Sequence, residues 1–356
     1  MNINPLVLLI VPTFCFSADI TLIKEIKVPQ EKFDSSASPT FSYNADGNSL
    51  IYIPKYSSSA LIIHDESDIT VDFKSEVMQS IIIKNDTIVA DKDNKMWRIS
   101  DKGELSFLIN LNDYNLGDLF SSQDQNAIAS RETIIHYPFT NINKVTSIPE
   151  HYPIFNGNSF GRNIAVTAGQ INHSLSKDTW LEVWDAHTGD RITNFDSNDE
   201  EIYGPVIVDE DKGLLFFQWD DKFTLWDYKT NTIIDSMKID IRYGEIKKEN
   251  NQFQAYGFNS IQRFSFKNNT ISRTLLCKLP IGNMNTPPQF SADGNYILTE
   301  ETNNNKSLSS IYSVTGNSCK KAISLPPIWG YYALHPTQRI IASYEDNHKT
   351  IKIYSW

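Results

Sequence analysis

Tyr332-Ala333-Leu334-His335-Pro336, Ile340-Ile341-Ala342-Ser343-Tyr344 and Thr350-Ile351-Lys352-Ile353-Tyr354-Ser355-Trp356 are the last apolar runs of the chain, and each reads as a strand. Three strands leave a sheet unit one short. The fourth stands near the opposite end, in Ile20-Thr21-Leu22-Ile23-Lys24-Glu25-Ile26-Lys27-Val28-Pro29. A ring of four-stranded sheets in which the two ends of the chain pair explains this split, because closure removes the bare strand edges an open array would expose.

Working back from that unit, the same second-strand pattern recurs as Leu50-Ile51-Tyr52-Ile53, Thr87-Ile88-Val89-Ala90, Ala127-Ile128-Ala129, Ile164-Ala165-Val166, Leu214-Leu215-Phe216-Phe217, Phe253-Gln254-Ala255-Tyr256 and Tyr296-Ile297-Leu298. The runs lie about 37 to 50 residues apart, near 41 on average, a period that marks a repeat architecture. A third strand with apolar residues at alternate positions follows each, as in Leu181-Glu182-Val183-Trp184-Asp185 and Phe223-Thr224-Leu225-Trp226-Asp227. Tight turns such as Thr188-Gly189-Asp190 and Lys229-Thr230-Asn231 lead to the fourth. Fourth strands end in Ile148-Pro149, Leu279-Pro280 and Leu325-Pro326, and Val28-Pro29 matches them. Proline is tolerated there because its missing N–H costs no ladder bond at an outer edge.

Phe290-Ser291-Ala292-Asp293-Gly294-Asn295-Tyr296-Ile297, Phe41-Ser42-Tyr43-Asn44-Ala45-Asp46-Gly47-Asn48 and the Trp184-Asp185 and Trp226-Asp227 endings resemble WD40-like and related bacterial periplasmic β-propeller repeats. The resemblance covers nearly all of residues 18–356. It departs from eukaryotic WD40 repeats in lacking the Gly-His dipeptide, so that family's hydrogen-bond network does not carry over. The fold expected is an all-β β-propeller of eight four-stranded blades, its last blade closed by the N-terminal strand. Seven blades is the alternative count, since blades three and six are weakly patterned.

Pro5 to Phe16 is apolar but too short to span a bilayer comfortably, and small residues follow it, which is the shape of a secretory signal peptide over residues 1–17. The remaining 18–356 forms a single domain, expected to be periplasmic or secreted and monomeric, with no integral membrane segment. Two cysteines remain, Cys277 and Cys319, and an even count in an oxidising compartment invites a disulfide. The repeat sets Cys277 near the end of one outer strand and Cys319 near the start of the next, hence on opposite faces, which argues against the pairing.

The chain carries a net charge of −11, contrary to the clustered cations that nucleic-acid backbones require. Gly157-Asn158-Ser159-Phe160-Gly161 fits the spacing of a nucleophile elbow, but it falls in a first strand or the following turn rather than between strand and helix. His64, His136, His187 and His335 are scattered through the repeats, and Asp91-Lys92-Asp93-Asn94 and Asp209-Glu210-Asp211-Lys212-Gly213 supply incomplete oxygen sets for calcium. No phosphate loop precedes a helix. No cofactor, metal or catalytic residue is therefore assigned.

In a propeller the loops joining strands two and three share one face with the connections between blades. Two such loops read as extended, Gly169 to Asp178 and Thr302 to Ser309, bringing His173 and Asn304 to that face. The connections add Tyr114, Tyr152, Tyr243, Trp329, Tyr331 and Tyr332, of the residue types that most often anchor interfaces, together with the acids Asp199, Glu200 and Glu201. The function expected is a non-catalytic protein-binding scaffold whose partner is another protein, one carrying a basic patch being compatible with the acids. The alternatives are a hydrolase or lactonase with its site at the central channel mouth, and an inhibitor of a secreted toxin or enzyme.

Overall fold

The computed structural model describes residues 20–29, 39–110, 119–121, 127–130, 133–136, 146–147, 155–172, 177–198, 200–238, 245–249, 252–257, 260–278, 283–284, 288–291, 293–303, 306–316, 318–326 and 330–356. Leu50–Ile53, buried along its whole length, sits second in an antiparallel sheet ordered Thr40–Tyr43, Leu50–Ile53, Ser59–Ile63, Asp68–Asp72 (sheet 1). Every second-strand run quoted above takes the same second place. The order first, second, third, outer repeats in Val77–Ile83, Asp86–Asp91, Lys95–Ile99, Leu105–Asn110 (sheet 2) and Leu119–Ser121, Ala127–Ser130, Thr133–His136, Thr146–Ser147 (sheet 3). It continues in Phe155–Phe160, Ile164–Asn172, Lys177–Asp185, Arg191–Phe195 (sheet 4), Ile202–Asp209, Leu214–Trp219, Lys222–Asp227, Thr232–Lys238 (sheet 5) and Glu245–Glu249, Gln252–Gly257, Ser260–Lys267, Thr270–Lys278 (sheet 6).

Sheet 7 departs slightly. Its first strand is split into Asn283–Met284 and Gln289–Phe290, both pairing with Tyr296–Asn303, before Lys306–Thr315 and Ser318–Ser324. Pro288 directly precedes the second piece and has no N–H to give to a ladder. Sheet 8 is Gly330–Leu334, Ile340–Glu345, Thr350–Ser355 and, as outer strand, Thr21–Lys27. The last pairing runs from Thr21 opposite Ser355 to Lys27 opposite Thr350, so the strands read from the two ends of the sequence do join.

The core is divided among the spaces between successive sheets. Leu181, Val183 and Phe195 of sheet 4 meet Leu215, Phe217 and Trp226 of sheet 5. The opposite face of sheet 5 sends Phe216 and Phe223 against Phe264 of sheet 6. Adjacent Phe216 and Phe217 thus point to different neighbours, as the two-residue period of a strand requires. Sheet 8 packs against sheet 1 in the same manner, through Ala342, Tyr344 and Ile351 against Phe41, Tyr52 and Leu61. Ring contacts reinforce this junction, with the Tyr52 and Tyr344 centroids 4.5 Å apart.

Outer strands share a device that the apolar pattern does not reveal. In six sheets one extra residue bulges from the outer strand: Ile23, Leu108, Ile192, Ile234, Leu276 and Ala322. Sheet 1 has no such bulge, with Asp68 and Asp72 at the two ends of its outer strand, and the two-residue outer strand described in sheet 3 pairs without one as well. A bulge breaks the regular spacing of ladder groups and increases local twist.

The expectation that Cys277 and Cys319 lie on opposite faces is overturned. They form a disulfide with Cα atoms 5.0 Å apart, tying the outer strands of sheets 6 and 7. Strand order carries no record of twist, which accumulates to roughly 60–75° over the three steps from first to outer strand. An outer strand therefore runs obliquely round the rim, and its far end reaches the near end of the next.

Candidate functional site

Backbone bonds show which turns lie together. Tyr56 N–H donates to Val77 O at 2.7 Å and Val77 N–H to Ser57 O at 2.8 Å, placing the second-to-third turn of sheet 1 beside the connection into sheet 2. Lys92 N–H to Glu76 O, Asp220 N–H to Glu201 O and Leu325 N–H to Ser309 O repeat the arrangement in other sheets. The second-to-third hairpins and the sheet-to-sheet connections thus share one face, here called the hairpin face.

Two hairpins on this face are longer than the rest. Ile164–Asn172 pairs with Lys177–Asp185 through nine residue pairs, ending at Asn172 opposite Lys177. Tyr296–Asn303 pairs with Lys306–Thr315 through eight, ending at Asn303 opposite Lys306. These are the segments read from sequence as extended loops. They are mostly strand, because a ladder bonds through the backbone and continues after apolar alternation has stopped.

Of the residues proposed from sequence for partner binding, Tyr114, Tyr152, His173, Asp199, Tyr243, Asn304 and Trp329 lie outside the described residues. Glu200, Glu201, Tyr331 and Tyr332 lie within them. Glu200 is exposed, on a connection pinned by Ser197: Glu200 N–H donates to Ser197 O at 3.0 Å, and Thr179 Oγ1 donates to Glu200 O at 2.8 Å. Trp219 Nε1 also donates to Ser197 O, at 3.1 Å. Glu201 accepts the Tyr203 hydroxyl, which commits part of its carboxylate inside the molecule. Asp196 and Asp220 are exposed beside them, whereas Asp221 is paired with Lys238 at 3.4 Å.

The two neighbouring tyrosines divide the work. Tyr332 packs against the cluster between sheets 7 and 8, its hydroxyl donates to Pro326 O, and burial pushes its pKa well up. Tyr331 keeps 38% of its surface exposed. A further aromatic on this face was missed in the sequence: Tyr56 is 49% exposed, with Lys55 Nζ 5.3 Å from its ring centroid. Its φ of 65° is uncommon for so bulky a residue. The signal lies in Pro54-Lys55-Tyr56, directly after a second-strand run.

The opposite face is stitched rather than presented. Glu210 of sheet 5 accepts Arg162 N–H at 2.9 Å and Asn163 N–H at 2.6 Å from the turn of sheet 4. A Cβ on Gly161 would strike Glu210 Oε2, so this carboxylate needs the glycine beside it. His335 of sheet 8 lies against Gly47 of sheet 1, its Nδ1 accepting Thr337 N–H at 3.1 Å and Gln338 N–H at 3.0 Å. Burial holds its pKa below the ordinary histidine value, against the pull of Gly47, Asp65 and Asp46. A cleft of about 540 Å³ between sheets 5 and 6 also opens beside turns of this face, lined by Val208, Leu214, Leu225, Phe253, Phe264 and Phe266. The Asp209 and Lys212 side chains at its edge pair with each other at 2.6 Å.

The motifs weighed for chemistry have structural partners. Ser159 is buried within a first strand, not exposed at a strand-to-helix turn. Asp91 accepts the N–H groups of Asp93 and Lys95 on one oxygen and Trp97 Nε1 on the other. Trp184 Nε1 donates to Thr167 Oγ1 and Trp226 Nε1 to Asn231 Oδ1, both within their own sheets. Asp185 is partly desolvated, which would raise its pKa, but the N–H groups of His187 and Thr188 hold it lower than usual.

No protein-family model and no curated protein matches the chain. Solved structures do. The C-terminal WD40 domain of Sif2 superposes with a TM-score of 0.62 at 12% identity, covering 95% of this chain and 98% of that one. The fold is a β-propeller. The β-propeller domain of Cps50 (Swd1) from Myceliophteria thermophila gives a TM-score of 0.53 at 13% identity, covering 95% of this propeller and all of that chain. BamB from Moraxella catarrhalis gives 0.52 at 11%, again covering 95% of this propeller and all of its own chain.

Proposed function

We propose that this propeller is a periplasmic or secreted protein-binding scaffold: a ring of eight blades, closed by Thr21–Lys27, that recognises another protein on its hairpin face. The observation that carries the reading is the pair of long hairpins on that face, at sheets 4 and 7. They add reach to a surface that also offers Tyr56 and Tyr331, aromatic side chains able to bury large area with few rotamers to lose. Glu200, Asp196 and Asp220 bias the surface toward a partner with a basic patch, chiefly by speeding encounter. The opposite face, where turns lock neighbouring sheets together, has a packing role.

Cross-linking followed by mass spectrometry in a cell-envelope extract of the native host tests this. A specific partner should be captured by the wild type, lost with Tyr56→Ala plus Tyr331→Ala, and retained with Lys102→Glu in a turn of the opposite face. Loss with Lys102→Glu and retention with the double variant would refute the choice of face.

A further inference from the structure

The outer strand of sheet 1 is regular from end to end. Its five residues pair without a register shift, from Asp68 opposite Ile63 to Asp72 opposite Ser59. Two bonds that extend the ladder fix its phase, His64 N–H to Ser67 O at 3.0 Å and Phe73 N–H to Ser58 O at 2.7 Å. Ile69 and Val71 are in phase with Ser67 and Phe73 and so bond inward. Asp68 and Thr70, out of phase with them, turn their N–H and C=O groups toward the open edge. Both residues are exposed, and among the described strands none lies beyond them in the sheet.

The two sides of this edge differ in chemistry, because side chains alternate along a strand. Ile69 and Val71 face sheet 2, in the cluster that includes Ile99. Leu105 pairs with Ile99 and Phe107 with Trp97 on the same side, so both face sheet 1 in return. Phe107 still keeps 52% of its surface exposed and Leu105 37%, with the Phe107 ring edge-on to Trp97 at 5.3 Å. The wedge between the two outer strands is therefore apolar and open to water. On the other side Asp68 and Asp72 share a face with Thr70, and exposed Asp65 and Glu66 precede them. Lys24 pairs with Asp68 at 2.8 Å and Ser59 Oγ donates to Asp72 at 2.7 Å, which leaves that side negative.

We propose that the outer edge of sheet 1 takes an extended segment of a partner protein as a fifth strand, one that alternates apolar and polar residues and carries Lys or Arg at both ends of its polar face. Asp68 and Thr70 offer its backbone two donors and two acceptors. Residues opposite Ile69 and Val71 lay apolar side chains into the wedge beside Leu105 and Phe107. Those opposite Asp68 and Asp72 bring cations next to carboxylates, a favourable pairing across strands. The same carboxylates repel a second copy of this edge, so the surface selects a basic strand over its own kind. The site lies on the rim, and its existence does not depend on the function proposed for the hairpin face.

Fluorescence anisotropy with the full chain and a labelled peptide, Lys-Val-Thr-Val-Lys flanked by Gly-Ser, tests the edge. It should bind saturably, at least about tenfold tighter than the same residues reordered as Val-Lys-Lys-Thr-Val. Alternate N–H groups of an added strand face the protein, so N-methylation separates backbone pairing from charge attraction. Of two peptides, one methylated at both Val nitrogens and one at the Thr and second Lys nitrogens, one should lose at least about tenfold and the other keep its affinity. Thr70→Pro removes an outward donor and no ladder bond, so it should melt like the wild type yet lose at least about tenfold in peptide affinity. Phe107→Ser should weaken binding as well, whereas Tyr56→Ala plus Tyr331→Ala on the hairpin face should leave it unchanged. Should Thr70→Pro fail to fold, the methylated peptides still decide on the wild type. No saturable binding up to about 1 mM peptide, equal affinity for the reordered peptide, the same response to both methylations, or full binding by a folded Thr70→Pro would each overturn the proposal.

Discussion

Sheets 5 and 8 have the same strand order and differ in where their strands come from. Sheet 5 is drawn from one stretch, Ile202 to Lys238, with short turns throughout. Sheet 8 takes three strands from residues 330–355 and its outer strand from Thr21–Lys27. Sheet 5 is also heavily filled, Phe216, Phe217, Phe223 and Trp226 being fully buried. The outer strand of sheet 8 buries little and leaves Leu22 47% and Ile23 55% exposed. It is held by its ladder and by Lys24, whose Nζ donates to His64 O and Asp68 Oδ1 of sheet 1, each at 2.8 Å. Sheet 5 can form from local hairpins. Sheet 8 must first bring together distant parts of the chain, a cost in loop entropy that only the completed sheet repays.

Removing the split strand should have the largest effect. A chain starting at Glu31 should lose about 5 kcal/mol or more, comparable with a whole domain's stability, and unfold without a single sharp transition in a denaturant titration. If it melts like the longer chain, the contrast between local and composite sheets collapses. Trp226→Ala in sheet 5 should cost about 3–5 kcal/mol but keep one cooperative transition, because the sheet's connectivity is intact. A loss of cooperativity there as well would mean that any sheet, not only the composite one, governs the whole fold.

Acid should act on sheet 8 first. His335 has a lowered pKa in the folded protein, so as pH falls below the ordinary histidine value the unfolded chain takes up a proton that the folded one resists. The stabilisation is complete above that ordinary value and declines as pH drops toward the folded pKa. Thermal melts between pH 7 and pH 5 should show the decline. His335→Asn should flatten it, because asparagine can still accept the Thr337 and Gln338 N–H groups but does not titrate. The surrounding Asp46, Asp65 and Tyr43 remain in both proteins and set the common background. Smallest of all, Glu210→Gln should cost about 1 kcal/mol in chemical denaturation, since an amide offers one oxygen where the carboxylate accepted two N–H groups.

The repeat was legible because second strands are largely buried on both faces and so run mostly apolar, as Leu214-Leu215-Phe216-Phe217 illustrates. The composite sheet was legible from Val28-Pro29 and Leu325-Pro326 as like endings of two outer strands. Twist was not, since a period of two records which face a residue takes and nothing of how far the strand has turned; Cys277 and Cys319 met for that reason. The long hairpins hid because their ladders outlast the apolar pattern. At the hairpin face, residue type alone could not separate Tyr331, which is exposed, from Tyr332, whose hydroxyl bonds Pro326 and whose ring fills a junction. Tyr56 escaped because its exposure follows from a left-handed backbone that no composition rule signals.

The bulges of the outer strands bear on what many copies of this molecule do together. A fibril grows when one edge accepts the next in register, bond by bond, over a flat run of residues. Ile23, Leu108, Ile192, Ile234, Leu276 and Ala322 each break that run at the rim, and where sheet 1 lacks a bulge it carries Asp68 and Asp72 instead. At these six described edges apolar side chains can therefore sit on the circumference without presenting the long regular run that a stacking copy would need.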